Sequence, residues 1–308
     1  MTTQNSTKEK HQILLDTDIG SDVDDALALL FALKSPEIEL KGVTTVYGKT
    51  DIRAKIAKKI LDSQDYQTNV PVCAGERIPM KSIYPNVWHT GREGDGILTK
   101  KEFNQSLEEM QIEKQASNFL INEITMNPGK YTLVTIGALT NIARALEREP
   151  YVAECLKHHY AMAGEIFSPN PEHNIACDVN AAQIVFNSST PKTIIPLNIT
   201  KDTKIARQDF NRLKRGTPLE KSVGSLVDDW FDYRDEQFET RVQYTCMHDP
   251  LTIVAITNPD LIETSQFPVY IDDNGVTKID NKKGNQMDVG VKVNKEAFEK
   301  LFLDTIYK

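Results

Sequence analysis

Five aspartates lie within ten residues near the start of the chain, between two apolar segments. The segment before them, Ile13 to Leu15, has the pattern of a buried strand, and the segment after them, Ala26 to Leu33, has that of a helix. The five carboxylates are Asp16, Asp18, Asp22, Asp24 and Asp25. Carboxylates a few ångströms apart repel one another unless a proton, a basic group or a metal ion compensates. Since no Lys or Arg occurs between residues 11 and 33, we predict a site for a hard divalent ion such as calcium, which prefers oxygen ligands.

Two other interpretations of the acidic turn remain open. Aspartate is a favoured helix N-cap and complements the helix dipole, so Asp22 and Asp25 could simply cap the following helix. An EF-hand loop would also supply oxygen ligands, but Gly20 falls one place early for that motif and no Glu closes the loop.

Alternating strand and helix patterns continue along the chain and predict the α/β class. Such alternation implies a doubly wound, mainly parallel sheet with helices on both faces, and Asp272 to Gly275 adds a small β-hairpin near the C-terminus. Ligands bind such sheets at the carboxyl ends of the strands, where the acidic turn lies. The predicted strands are 12–15, 38–46, 70–73, 131–136, 160–162 and 193–197, and the predicted helices are 26–35, 51–64, 111–126, 139–148, 178–187 and 219–239, with another beginning at 247–250.

Composition limits the classes of function. The chain has 308 residues, of which 40% are hydrophobic, and we expect a polar tail at 1–11 followed by one domain at 12–308. A formal charge of −8 argues against a nucleic acid partner. The N-terminal segment has no apolar core of a signal peptide, and no apolar run is long enough to span a membrane, so we expect a soluble cytoplasmic protein. Four widely spaced cysteines form no CxxC pair, and we expect them to be reduced.

Five segments, in order, resemble the motifs of the nucleoside hydrolases, the inosine-uridine type family that cleaves the N-glycosidic bond of nucleosides. The acidic turn followed by Ala26-Leu27-Ala28-Leu29 resembles the N-terminal signature of that family. The other segments are Thr44-Thr45-Val46-Tyr47-Gly48, Gly137-Ala138-Leu139-Thr140-Asn141-Ile142-Ala143, Glu172-His173-Asn174-Ile175-Ala176-Cys177-Asp178 and His248-Asp249-Pro250.

The resemblance implies a calcium ion, a small nucleoside substrate and a homo-oligomer, either a dimer or a tetramer. It also implies residue roles. Metal ligands would be the carboxylates of Asp18, Asp25 and Asp249 and the main-chain carbonyl of Ile136. Asp24 would be the general base that activates water, and His248 would protonate the departing base. Substrate contacts would come from Glu172, Asn174, Asn170, Asp249 and His89.

Three departures from the family pattern leave details open. Ser21-Asp22-Val23 stands where one residue usually precedes the Asp-Asp pair, so Asp22 competes with Asp24 for the role of base. Lys49 replaces a common Asn, and it is either a surface lysine or a contact for an anionic substrate. The stretch between Gly164 and Glu172 is shorter than usual, which weakens the assignment of Asn170.

The loop from Tyr84 to Leu98 carries Gly91, Gly94 and Gly96 around Trp88 and His89. Loops of this length are often lids, although a plain surface loop fits as well.

Two other functions fit parts of the sequence. A haloacid dehalogenase-type phosphohydrolase would use Asp16 and Asp18 after the first strand, but Ile19 stands where Gly usually follows and the His-Asp-Pro segment is unexplained. A nucleoside- or ribose-binding protein without turnover would keep the calcium site. The sequence does not distinguish the preferred nucleobase, or ribose from deoxyribose.

Overall fold

A computed structural model describes residues 9–64, 69–81, 83–84, 87 and 91–308. Its strands are β1 (His11–Thr17), β2 (Ile38–Thr45), β3 (Val72–Ala74), β4 (Glu113–Lys114), β5 (Thr132–Thr135), β6 (His158–Met162), β7 (Lys192–Ile195), β8 (Lys204–Ala206), β9 (Tyr244–Cys246), β10 (Ile262–Ile271), β11 (Thr277–Ile279) and β12 (Asn285–Val293). Its α-helices are α1 (Asp24–Lys34), α2 (Thr50–Asp62), α3 (Lys100–Asn104), α4 (Ala116–Met126), α5 (Thr140–Arg148), α6 (Val152–Cys155), α7 (His173–Cys177), α8 (Val179–Asn187), α9 (Leu197–Thr200), α10 (Pro218–Phe238), α11 (His248–Thr257) and α12 (Lys295–Ile306). Two 3₁₀ helices cover Arg207–Arg215 and Pro259–Leu261.

Ten strands form the main sheet in the order β11-β10-β12-β7-β6-β5-β1-β2-β3-β4. The strands from β7 to β4 run parallel, and β12 is parallel to β7 but antiparallel to β10. β1 pairs with β2 on one side and with β5 on the other, so the chain changes winding direction at β1. The crevice at such a switch point is where doubly wound sheets bind ligands.

Helices cover both faces of the sheet because the strands are apolar on both sides. Ile13 and Leu15 of β1 pack into a core with α1, α2, α10, α11 and α12, whereas Leu14 faces a second core with α4, α5 and α8. The predicted α/β fold, mainly parallel and covered on both faces, is therefore confirmed. The hairpin is confirmed too, because β10 and β11 pair across the turn at Asp272 to Gly275.

Two parts of the fold differ from the sequence-based expectation. The helix predicted from Gln111 begins only at Ala116, because Gln111 and Gln115 adopt left-handed backbone angles (φ 55° and 67°) that interrupt a helix, and Glu113–Lys114 pairs as an edge strand. The long antiparallel pair of β10 and β12, which extends the parallel sheet, was also not predicted from the sequence. The tail at 1–11 and the single domain at 12–308 stay predictions. Among the described residues, no helix has the length and apolarity needed to cross a membrane.

Candidate active site

A cavity of about 620 Å³, open to solvent at its mouth, lies at the carboxyl ends of the central strands. It collects side chains from the turn after β1, the ends of β5 and β6, the start of α7, α9 and the start of α11. Its walls are Asp18, Ser21, Asp22, Asp24, Asp25, Ile136, Met162, Glu172, His173, Asn174, Leu197, His248 and Asp249. Eight of the sequence-predicted site residues therefore meet here, although they come from four distant parts of the chain.

Three buried carboxylates form the centre of the cavity. One oxygen from each of Asp24, Asp25 and Asp249 lies within 4.8 Å of the others, and all three residues are buried. The backbone N–H of Asp249 donates to Oδ2 of Asp24 at 3.2 Å, which ties α11 to α1. The hydroxyl of Thr17, at the end of β1, donates a hydrogen bond to the carboxylate of Asp25 and so orients it.

None of these aspartates is present simply to cap a helix. The N-cap of α1 is Val23 and that of α11 is Met247, and neither cap makes a side-chain hydrogen bond. Asp22 accepts a hydrogen bond from the N–H of Val23 at 2.6 Å, outside the helix. The capping interpretation of the acidic turn is therefore wrong.

Burial and mutual repulsion raise the pKa values of the central carboxyl groups. Burial raises the pKa of Asp24 well above its usual range, and Asp22 and Asp25 raise it further. Burial likewise raises the pKa of Asp25, with Asp18 adding to the effect, and that of Asp249, with Asp24 and Asp25 adding. Such a group of anions is stable in its charged form only with a cation among them.

The donors in the cavity fit a hard divalent ion. Asp18, Asp25, Asp249 and Ile136 all line it, and their carboxylate and carbonyl oxygens are the donor type that calcium and magnesium prefer. The carbonyl of Ile136 also accepts a hydrogen bond from the amide of Asn174 at 3.4 Å. Asp24 lies in the same carboxylate group, which places it beside any ion held there.

The cavity also carries polar groups with fixed orientation, Glu172 and Asn174. The carboxylate of Glu172 accepts hydrogen bonds from the N–H groups of Asn174 (2.9 Å) and Gly164 (3.1 Å) and caps α7. The amide of Asn174 donates to the carbonyl of Met162 at 3.0 Å. Both side chains are therefore held rigidly at the ends of β6 and α7.

His248 also lines the cavity, at the first position of α11. Its Nδ1 lies 2.8 Å from the hydroxyl of Thr200. Burial lowers the pKa of His248 to about 4, so its ring is neutral at pH 7. A hydroxyl donating to Nδ1 would leave the proton on Nε2.

Asp16, the first aspartate of the acidic turn, lies outside the cavity. Its Oδ1 accepts hydrogen bonds from Thr44 (2.6 Å) and from Asn141 (2.7 Å), so the central Gly-x-Leu-Thr-Asn motif anchors β1 rather than a substrate. Burial raises the pKa of Asp16 to about 7. The phosphohydrolase alternative needs Asp16 beside Asp18 in the site, and the structure argues against it.

Two sequence candidates, Lys49 and Asn170, do not line the cavity. Lys49 forms an ion pair with Glu93 (3.0 Å) and donates to the carbonyl of Gly91 (2.8 Å), and it does not line the cavity. Asn170 is exposed and lies outside the wall as well. His89, like Trp88, falls outside the described residues.

Asp22 lies at the boundary between this cavity and a second one of about 400 Å³. The second cavity is bounded by the acidic turn, by Arg92 and Asp95, and by the face of α10 that carries Asp229, Trp230 and Tyr233. Asp22 is half-buried and is not one of the three grouped carboxylates, whereas Asp24 is.

Sequence reasoning missed several residues of the cavity wall. Met162 and Leu197 line it because they follow or end β6 and β7, and the sequence signal for them was their position at the carboxyl end of a parallel strand. His173 was part of a recognised motif but had no assigned role. Arg53, fully buried beneath the acidic turn, was not singled out at all.

Comparison with known proteins agrees with this geometry. The sequence profile of the inosine-uridine preferring nucleoside hydrolase family matches residues 13–300. Uridine nucleosidase 1 of Arabidopsis thaliana is 31% identical over 277 residues, covering 87% of this chain and 80% of that protein. The pyrimidine-specific ribonucleoside hydrolase RihB of Escherichia coli O157:H7 is 31% identical over 273 residues, covering 86% and 84%.

Solved structures give the same result. The purine-preferring ribonucleoside hydrolase from Gardnerella vaginalis has a TM-score of 0.82 at 26% identity, covering 96% of this chain and 98% of that one. The plant nucleoside hydrolase PpNRh1 has a TM-score of 0.79 at 25% identity, covering 96% and 99%. The resemblance inferred from the motifs is confirmed: the chain belongs to the inosine-uridine preferring nucleoside hydrolase family and is a hydrolase of the glycosidase type.

Proposed function

We propose that this protein hydrolyses the N-glycosidic bond of ribonucleosides in a calcium-dependent reaction that releases the free base and ribose. The observation that carries the proposal is the group of three buried carboxylates, Asp24, Asp25 and Asp249, which lines the same cavity as the fixed polar side chains of Glu172 and Asn174. The family match supports the bond that is cleaved, and the oxygen donors support calcium as the ion.

Asp24 is the general base in this proposal. Breaking the ribosyl C1′–N bond develops positive charge on the sugar ring, which surrounding carboxylates stabilise. A bound divalent ion supplies orientation and a lowered pKa to the attacking water. Asp24 accepts a proton from that water as its oxygen bonds to C1′, and its central position favours it over Asp22 at the edge of the cavity.

Glu172 and Asn174 bind the ribose hydroxyls, because their polar atoms are oriented before the substrate arrives. The carboxylate of Glu172 is held by backbone N–H groups and retains lone pairs for a hydroxyl donor. Asp249, as a ligand of the ion, also contacts the sugar.

His248 acts on the departing base. Because burial keeps the imidazole neutral at pH 7, it stabilises the leaving nitrogen by donating a hydrogen bond from Nε2, with Thr200 fixing the ring through Nδ1. Full proton transfer from this residue requires its pKa to rise in the substrate complex.

The non-catalytic alternative loses much of its support in this arrangement. The departures from the family pattern, Lys49 and the altered acidic turn, are the features that would favour a protein without turnover, but Lys49 is paired with Glu93 outside the cavity. We further propose a cytoplasmic enzyme of nucleoside salvage that forms a dimer or tetramer, on the strength of the family resemblance and of free cysteines throughout the described chain. Size-exclusion chromatography with light scattering tests the oligomer directly.

The experiment that tests the function is a reducing-sugar assay on the pure protein, with a panel of ribonucleosides, deoxyribonucleosides and nucleotides. Each substrate is assayed with and without a calcium chelator. We expect ribose release from uridine or inosine that the chelator abolishes. No reducing sugar from any substrate, with calcium still bound, would favour a binding protein instead.

A further inference from the structure

Arg53 lies in the first turn of α2 and is the largest fully buried side chain in the described residues, with an exposed fraction of 1%. A guanidinium group always carries its charge, so burying it is unfavourable unless its N–H donors find acceptors. Most arginines at the start of an amphipathic helix avoid this by pointing into solvent. Arg53 instead reaches inward, toward the ends of β1 and β2.

The guanidinium joins the two turns that follow these strands. Nη1 donates to the carbonyl groups of Asp18 and Ile19, the second at 3.0 Å, and Nη2 donates to the hydroxyl of Ser21 at 2.9 Å. Nε donates to the carbonyl of Tyr47 in the turn after β2, at 2.8 Å. Only a planar fork with several donors can make this set of contacts, and a lysine ammonium cannot reproduce it.

Each of the two turns contains a residue with a positive φ, a backbone conformation that needs support from surrounding contacts. Tyr47 has φ of 65°, a left-handed conformation that is unfavourable for a tyrosine, and Gly20 has φ of 105°. A Cβ on Gly20 would come within 2.6 Å of the side chain of Ile56, one helical turn after Arg53. The acidic turn is thus packed against α2, and Arg53 is the polar contact that fixes its carbonyl groups.

The charge of Arg53 and its hydrogen bonds have opposite consequences for a divalent ion. A positive charge below the carboxylates repels a second cation, so the charge alone would weaken ion binding. The hydrogen bonds hold Asp18 and the residues after it in one orientation before the ion arrives, which strengthens binding because less order has to be imposed.

We propose that Arg53 is a positioning residue for the divalent-ion site, which orients the backbone of the acidic turn through Asp18, Ile19 and Ser21. The inference rests on the proposed metal site and adds to it a residue outside the cavity wall. Its central claim is that geometry outweighs charge at this position.

Calorimetric titration of the chelator-treated protein with calcium tests the claim, using Arg53→Lys and Arg53→Met. If the hydrogen bonds of Arg53 matter more than its charge, both variants should bind calcium about 10- to 100-fold more weakly than the wild type. The lysine variant keeps the charge but should not restore calcium affinity. A purely electrostatic role predicts the reverse pattern, with tighter binding by the methionine variant and unchanged binding by the lysine variant. That pattern would overturn the inference.

Arg207→Met is the matched control, because Arg207 also bridges elements, through ion pairs with Asp232 (2.8 Å) and Asp235 (2.6 Å), but lies away from the cavity. It should lower the melting temperature and leave calcium affinity unchanged. If the Arg53 variants behave in the same way, Arg53 is only structural and the inference is wrong.

Ser21→Ala provides a milder test if the Arg53 variants do not fold. It removes one of the hydrogen bonds to the guanidinium and should weaken calcium binding by about 3- to 10-fold. Unchanged affinity in this variant would contradict the inference. A wild-type protein that binds no calcium would instead overturn the metal site itself, and with it the role of Arg53.

Discussion

The carboxyl end of β1 and the amino ends of β6 and β7 bury ionisable side chains in the same sheet, but with different partners. At the carboxyl end, Asp24, Asp25 and Asp249 crowd together, and burial together with neighbouring aspartates raises the pKa of all three. At the amino end, His159 and Lys192 are also buried, yet each has a neutral hydrogen-bond partner of its own.

Burial at the amino end lowers the pKa of each base, and each base has a neutral hydrogen-bond partner. Burial lowers the pKa of His159 to about 3, and Nε2 of its ring lies 2.8 Å from the hydroxyl of Thr135. Burial lowers the pKa of Lys192 to about 8, and its ammonium donates to the carbonyl of Ser188 at 2.8 Å. His159 is therefore neutral at pH 7, whereas Lys192 keeps most of its charge and places it against a backbone carbonyl, so neither group needs an external ligand.

Crowding at the carboxyl end cannot be resolved in that way without protonating several groups at once. The difference indicates which buried charges have a function: several carboxylates held together by the fold call for a cation, whereas buried bases with neutral hydrogen-bond partners are part of the packing. If this difference is real, substitutions and pH changes at the carboxyl end should alter activity and stability more than those at the amino end.

The largest effect is expected from Asp249→Asn, with Lys192→Met as its counterpart in the other region. Loss of an ion ligand should reduce kcat/KM by about 10³-fold or more and abolish tight calcium binding, because the ion supplies several kcal/mol of transition-state stabilisation. The lysine variant should keep its activity. Steady-state kinetics and metal analysis after dialysis check both, and unchanged calcium content in the Asp249 variant would rule out its role as a ligand.

The second largest effect is expected in the kcat of Asp24→Asn compared with that of Asp22→Asn. Both are measured at saturating calcium, so that a change in calcium affinity does not alter the result. Removal of the general base should lower kcat by about 10²- to 10⁴-fold in the Asp24 variant. The Asp22 variant should lose less than about tenfold, since that carboxylate lies at the edge of the site. The opposite order would transfer the role of base to Asp22.

The stability of the calcium-free protein should respond to pH in a direction set by the raised pKa values. A carboxyl group whose pKa is raised in the folded state favours folding when protonated, so its contribution is complete below pH 3.8 and is lost as the pH rises through the folded value. For Asp16, whose folded pKa is about 7, the loss amounts to about 4 kcal/mol. The central aspartates act in the same direction.

Thermal melting with and without calcium isolates the part of this effect that belongs to the site. Because calcium competes with protons for the carboxylates, it should raise the melting temperature more at pH 8 than at pH 5. An equal increase at both pH values would mean that the raised carboxyl groups do not bind the ion.

The smallest effect concerns the amino end and has the opposite sign. The unfolded chain protonates His159 near pH 6.5, but the folded protein does so only near pH 3, so acidification destabilises the fold. At pH 5 the loss is about 2 kcal/mol. Denaturant titrations should show that His159→Gln loses less stability than the wild type between pH 6.5 and 5. Equal losses would show that His159 does not titrate as its burial requires.

The position of the acidic residues could be predicted from the sequence because the signal is local, whereas their roles stay predictions. One short segment supplies Asp18, Asp24 and Asp25, and strand alternation places it at the carboxyl edge of the sheet, where His248 and Asp249 also lie. The fold class followed from the same alternation. By contrast, the helix at Ala116 was predicted too long, because apolar periodicity does not reveal the left-handed residues that delay its start.

Residues whose role depends on distant contacts could not be found in the same way. In the sequence, Arg53 has the pattern of an ordinary polar residue of an amphipathic helix. It is buried because the turns after β1 and β2 pack around it and accept its hydrogen bonds. Lys49 had a suggestive position in its motif, yet Glu93, which neutralises it, lies far along the chain. Such pairs become visible only when the tertiary structure is known.

The most direct test of the account is to remove all metal from the protein and to measure ribose release from uridine and inosine while calcium is added back, recording bound calcium in parallel. The account predicts no turnover without metal and activity that rises in proportion to the first equivalent of calcium bound per chain. Full activity in the metal-free protein would contradict the claim that the crowded carboxylates exist to hold a catalytic ion.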